Sequence, residues 1–95
     1  TATNGNLVLA TAGNKLSIAT GANASVGSVA LVAGTKTVTT TAVSASSLIF
    51  VTVGALGTVA VPKAMKVSNI VAGTSFDITS ADNTDTSTVN WLIIN

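Results

Sequence analysis

The stretch VNWLIIN, residues 89–95, decides how the rest of the chain is read. Successive side chains of an extended strand point to opposite faces, so Trp91 and Ile93 share one face while Leu92 and Ile94 share the other. A strand apolar on both faces is one covered on both sides. Chain ends usually fray, but this one is expected to be tied down by its neighbours. Its second face is expected to lie against the chain's other sheet or against a second copy of the molecule.

Upstream, the same composition of Thr, Val and Ile recurs between turn residues spaced every 8 to 12 positions, while Glu, Gln and Arg are absent. That combination is an all-β signature, and no segment carries the 3.6-residue apolar stripe of a helix longer than one turn. Six strands are predicted: SVALVAG (28–34), TKTVTT (35–40), SLIFVTV (47–53), AMKVSNIVA (64–72), SFDIT (75–79) and VNWLIIN (89–95). Turn signals lie between them at Ala33-Gly34, Ala45-Ser46, Gly54 to Gly57, Ala72-Gly73 and Ala81 to Asp85. Pro62 has no backbone N–H to give a ladder and belongs at a strand start, an edge or a loop. Six strands with hairpin-length connections predict a small antiparallel β-sandwich or jelly-roll-like domain.

The first third reads differently. NLVLA (6–10) and KLSIA (15–19) are short strands followed by the turns TAGN (11–14) and TGAN (20–23). Leu7 and Leu9 share a face, as do Leu16 and Ile18, a spacing that suits a narrow ribbon more than a broad sheet. The chain thus divides into an N-terminal short-strand segment, 1–27, shaft-like or arm-like, and a C-terminal sandwich, 28–95.

Ninety-five residues make one domain that removes only about 60–65% of its unfolded surface from water when it folds alone. Much of the 47% hydrophobic content is Ala and Val, with one Trp, two Phe and one Met for bulk. At roughly 25 cal/mol per Å² such side chains give a thin core. There is no Cys to cross-link it, and with His and Cys both absent no metal staple is expected. The remedy for a small, charge-poor domain is to complete its interior against copies of itself. Leu7, Leu9, Leu16, Ile18, Trp91 and Ile93 are the candidate oligomer-interface residues.

Charged residues make up 7% of the chain: Lys15, Lys36, Lys63 and Lys66 against Asp77, Asp82 and Asp85. Net charge +1 without a basic cluster is no footprint for nucleic acid. The longest nearly apolar stretch, 48–61, is shorter than a spanning helix and is broken by Thr52, Gly54, Gly57 and Thr58, so no membrane insertion is expected. Thr1 opens a polar stretch with no basic n-region, and no signal peptide is expected.

General acid–base chemistry draws on His, Glu, Asp, Lys, Tyr or Cys, and His, Glu, Tyr and Cys are all missing here. No Ser-His-Asp or Cys-His triad can form, so no catalytic residue, cofactor or enzymatic activity is expected. Asp77, Asp82, Asn83 and Asp85 have oxygens suited to Ca²⁺ but lack the spacing of a calcium loop. Their simpler role is to accept backbone hydrogen bonds in a turn. The glycines of GANASVG (21–27) fit neither a phosphate loop nor a dinucleotide fingerprint and read as strand punctuation. Asn23-Ala24-Ser25 is a formal glycosylation sequon, meaningful only in a eukaryotic secretory setting. The threonine run TKTVTTT (35–41) offers a hydroxyl array that fits either a solvated edge strand or a surface for sugar or ice.

The stretch SVALVAGTKTVTTTAVSASSLIFVT (28–52), followed by AGTSFDITSADNTDTSTVNWLII (72–94), resembles a C-terminal module of structural and fibre proteins of tailed bacteriophages and related prophage genes. NKLSIATGANASVGS (14–28) resembles the lead-in to that module, and the DTSTV-W ending is its most specific part. Leu48 stands where such relatives often carry Arg before Ile-Phe. The resemblance implies a non-enzymatic virion protein on an extracellular particle: a homotrimeric, intertwined head fibre, capsid decoration or fibre tip. It implies contacts with other virion proteins of capsid or tail, and a host-surface glycan or receptor as a further partner. The alternatives are a receptor-binding tail fibre domain, or a secreted bacterial adhesin or filament subunit that binds carbohydrate or ice.

Overall fold

The computed structural model describes residues 5–95; residues 1–4 of the expected N-terminal segment, Thr1 included, lie outside the described residues. The elements are β1 (Val26–Ala30), β2 (Thr35–Thr39), β3 (Leu48–Ala55), β4 (Met65–Val71), β5 (Ser75–Ser80) and β6 (Thr88–Ile94). All six lie within the segments expected to be strands, apart from shifts of one to four residues at their ends. Among the described residues there is no helix long and apolar enough to cross a membrane.

The strands form two antiparallel three-stranded sheets, ordered β1-β6-β3 and β2-β5-β4. The two central strands face each other. Val89, Trp91 and Ile93 of β6 meet Phe76 and Ile78 of β5, and Leu31, Val38 and Val43 close the cluster. Phe76 and Trp91 join the layers in an edge-to-face pair with ring centroids 5.6 Å apart and planes at 77°, the geometry favoured by the ring quadrupoles. Val29, Ile49, Val51, Met65 and Val67 pack around this centre from the flanking strands.

β1 and β2 are joined by four residues, 31–34, that turn tightly at Ala33-Gly34, yet they belong to different sheets. Ala33 and Gly34 both take positive φ, 50° and 80°, as a tight hairpin turn requires. Only Val32 and Thr35 bridge across it. Beyond that bridge the strands part, one to each layer, so the turn is a corner of the sandwich. It is held by Gly34 N–H donating to the Asp85 carbonyl at 2.9 Å and by Ser80 N–H donating to the Gly34 carbonyl at 2.7 Å.

The two N-terminal ribbon segments differ from expectation. Of the expected strands 6–10 and 15–19, only Asn6 takes part in a β-bridge and the rest belongs to no strand; Leu7, Leu9 and Leu16 are at least half exposed. A strand needs a partner to satisfy its N–H and C=O groups, and among the described residues neither 7–10 nor 15–19 is paired in a ladder. The turn after the first segment does form: Asn14 N–H donates to the Thr11 carbonyl at 3.0 Å, and Thr11 N–H to Asn14 Oδ1 at 3.1 Å. The segment stands away from the sandwich as an arm. The radius of gyration is 15.0 Å, against about 12 Å for a compact chain of this length.

The arm is rooted firmly. Thr40, buried on β2's end, donates its hydroxyl to the Ala24 carbonyl at 2.6 Å. Thr41 N–H donates to Asn23 Oδ1, and Ile93 N–H to the Ser25 carbonyl at 2.7 Å. β1 itself begins at Val26, two residues before the expected start of the sandwich. The other end of the chain is held as well, because Asn95 accepts the Ser44 and Ser47 hydroxyls on Oδ1 and donates Nδ2 to the Ala42 carbonyl.

Candidate functional site

The three carboxylates are the only groups with acid–base potential besides the lysines, and each is tied to its own chain. Asp85 is fully buried, accepting the Ser80 hydroxyl at 2.7 Å and the Ser87 N–H at 2.8 Å. The Ser87 and Ser80 hydroxyls outweigh burial and hold its carboxyl below the ordinary range. Ser87 Oγ in turn accepts the Gly57 N–H, so this network ties the β3–β4 connection to the β5–β6 connection. Asp82 accepts the Thr84 hydroxyl and N–H on one oxygen, a local turn that also lowers its pKa. Asp77 accepts the Thr37 hydroxyl at 2.6 Å and the Asn69 amide at 2.8 Å, with the same direction of shift. Hydrogen bonds to the charged form explain all three. Among the described residues no three potential metal-ligating side chains gather, and no buried side-chain polar atom lacks a partner.

The structure separates the six residues singled out as an interface. Leu7, Leu9, Leu16 and Ile18 are exposed along the arm. Trp91 and Ile93 are not available to a partner: they are 7% and 4% exposed, packed inside the chain's own sandwich. They are corrected here to core residues, because β5 with Phe76 and Ile78 already covers their face. The other face of the same strand, Leu92 and Ile94, is the one left without a second layer.

That outward face has a definite pattern. The register aligns Val26, Leu92 and Phe50 in one row across β1, β6 and β3, with Ile94 and Leu48 in the next. Phe50 is 57% exposed and Leu48 62%. Sequence reasoning passed over Phe50 and Leu48 because a lone apolar strand reads equally well as buried. The usable signal was the absence of any charge on all three strands of that sheet.

The outer face of the opposite sheet is polar. Thr35, Thr37 and Thr39 form an exposed row opposite Thr79, Asp77 and Ser75. The Thr35 hydroxyl donates to the Ile78 carbonyl at 3.2 Å, and Thr37 is held by Asp77. Asn69 takes a positive φ of 50° beside a register shift in β4, which brings its amide onto Asp77.

A family model described as "K1 capsule-specific polysaccharide lyase, C-terminal domain" matches residues 23–94. The match starts where the arm is pinned to the sandwich. No curated protein and no solved structure matches the chain.

Proposed function

The chain belongs to the family of K1 capsule-specific polysaccharide lyase C-terminal domains, and on that premise we propose that it is a non-enzymatic structural module of a bacteriophage particle, carried at a tail spike or fibre tip and assembled as a homotrimer. The observation that carries the reading is the arm. Leu16 and Ile18 repeat Leu7 and Leu9 nine residues further on, all four are exposed, and the head they lead into already has a closed core. An apolar ribbon outside a finished domain is completed by other ribbons of its kind, and three arms about a common axis bury these leucines in layers. The lack of His, Glu, Tyr and Cys, together with three carboxylates held by their own chain, supports a mechanical role in place of the lyase chemistry in the family's name.

Light scattering on the purified chain tests this: three times the chain mass at micromolar concentration is expected, and a monomer there would remove the trimer. Incubation with acidic capsular polysaccharide is expected to yield no unsaturated sugar ends. Placement on tail or capsid is tested by cross-linking intact particles that carry the protein.

A second reading, a receptor-binding module, draws on the exposed row Thr35, Thr37 and Thr39. A flat hydroxyl row beside Asp77 suits a sugar. Against it, the Thr35 and Thr37 hydroxyls are engaged within the sheet. Glycan-array binding that disappears in Thr39→Val and Asp77→Ala would favour this reading.

A further inference from the structure

The two sheets use their outward polar groups differently. On the β2-β5-β4 sheet these groups satisfy one another: Thr37 and Asn69 donate to Asp77, and the Thr35 hydroxyl donates to the Ile78 carbonyl. The β1-β6-β3 sheet carries a row of another kind. Its register sets Ser28, Asn90 and Thr52 side by side across the three strands, and all three are exposed. No hydrogen bond among the described residues engages their side chains. Hydroxyl, amide and hydroxyl thus present free donors and acceptors over two strand spacings, about 10 Å.

The neighbouring row on the same face is apolar and ends in an aromatic ring. It consists of Val26, Leu92 and Phe50. Of the three aromatic residues in the chain, Phe76 and Trp91 are buried and Phe50 alone is open to solvent. Gly54 shapes the polar row beside it, because a Cβ there would come within 2.9 Å of the Asn90 amide nitrogen. A glycine inside a strand often marks a place that a ligand approaches closely. The face is bounded on both sides by its own chain: Thr20 and Gly21 of the arm flank Ser28 and Asn90, and Pro62 and Lys63 flank Thr52. Between these walls one depression is lined by Phe50, Thr52, Asn90 and Leu92.

We propose that this face is a binding site for a neutral oligosaccharide, one sugar ring lying on Phe50 while Asn90, Thr52 and Ser28 hydrogen-bond its hydroxyls. A sugar matches both rows at once. Its C–H face packs on an aromatic ring, and its hydroxyls both donate and accept, as the Asn90 amide does from a single side chain. An apolar partner surface would bury the polar row without partners, at a cost for each group. β1, β6 and β3 carry no charge, so no cation stands within the row to pair with the carboxylate of an acidic sugar. The site goes beyond the structural role proposed above and needs no trimer. It also lies on the opposite sheet from the threonine row, whose hydroxyls are already engaged.

The test is an array of neutral hexose and N-acetylhexosamine oligosaccharides, with sialylated oligosaccharides beside them, probed with the full chain. Saturable binding to neutral members is expected, at least tenfold weaker in Phe50→Ala and in Asn90→Ala and unchanged in Asp77→Ala. Both side chains removed point outward, and Trp91 fluorescence reports that the head stays folded. A second measurement does not depend on those variants. The chain has no Cys, so Thr52→Cys and Thr37→Cys each introduce a single thiol, one on each sheet. The best-bound array oligosaccharide, at saturation, is expected to slow maleimide labelling at least threefold at position 52 and to leave position 37 unchanged. Absence of binding to every neutral member, binding confined to sialylated members, or binding lost in Asp77→Ala and kept in Phe50→Ala each overturns the site. Labelling at position 52 that is the same with and without the oligosaccharide also overturns it. All of these failures leave the structural role standing, because the mass by light scattering tests the trimer separately.

Discussion

Trp91 lies across Gly27, its partner in the β1–β6 ladder: a Cβ on Gly27 would come within 2.7 Å of the indole Cζ2. The glycine is therefore part of the core, since its missing side chain is the space that the largest side chain occupies. Gly27→Ala has to move an indole already fixed edge-on by Phe76. Overpacking of this kind costs about 1–3 kcal/mol. Urea denaturation followed by Trp91 fluorescence is expected to show that loss, and an unchanged midpoint would mean that the indole has room to shift.

Gly34 at the sandwich corner is constrained twice. Its φ is +80°, and a Cβ there would lie 2.5 Å from the Asp82 carbonyl oxygen and 2.8 Å from Asn83 Cα, both backbone. A left-handed conformation alone costs an L-residue roughly 1–2 kcal/mol, and the neighbouring backbone cannot swing aside as a side chain can. Gly34→Ala is expected to lower the melting temperature more than Ala33→Gly, which relieves a positive φ at the preceding residue.

Asp77, Asp82 and Asp85 all have folded-state pKa values below the ordinary carboxylate value. A depressed folded pKa gives stability that is fully present above the unfolded value of about 4 and is lost as pH falls through the folded value. Melting temperature is thus expected to be flat from neutral pH down to about pH 5 and to fall steeply below about pH 4. Asp85→Asn is expected to be less stable at neutral pH and to show a shallower acid limb, because it removes the buried member of the set. An acid limb unchanged in that variant would assign the sensitivity to Asp77 and Asp82.

The arm leucines make a separate prediction about assembly. Leu16→Asp places a charge at a position of the arm that is 64% exposed, so the melting of a dissociated head is expected to stay within about 0.5 kcal/mol of wild type. The trimer, by contrast, is expected to weaken at least tenfold on light scattering. Trimers of undiminished strength would show that Leu16 faces solvent in the assembly too.

Much of this architecture is legible in residues 28–95. Turn residues bracket each strand, and period-two alternation fixes which side chains share a face, so Phe76 with Ile78 and Trp91 with Ile93 fall on single faces without further information. The direction of those faces is not written locally. VNWLIIN is apolar on both sides, and only the tertiary arrangement decides that Trp91 and Ile93 go inward while Leu92 and Ile94 stay out. The corner at Ala33-Gly34 hid a second fact, because a tight turn predicts that its flanking strands pair, yet β1 and β2 separate after one bridge to join different layers. The arm segments show the reverse case. Leu7, Leu9, Leu16 and Ile18 have the spacing of strands, but the hydrogen-bonding partner that would make them strands is not encoded in the same stretch.

The root of the arm has a mechanical consequence. Val26 pairs with Leu92, and Ile93 donates to Ser25, so the incoming chain is laid antiparallel along the middle strand of its sheet. Tension applied through the arm and resisted at the opposite pole, beyond Ala30 and Thr88, loads all these rungs side by side instead of breaking them in turn. The joint is built as a splice is in a rope, with the load shared along its length.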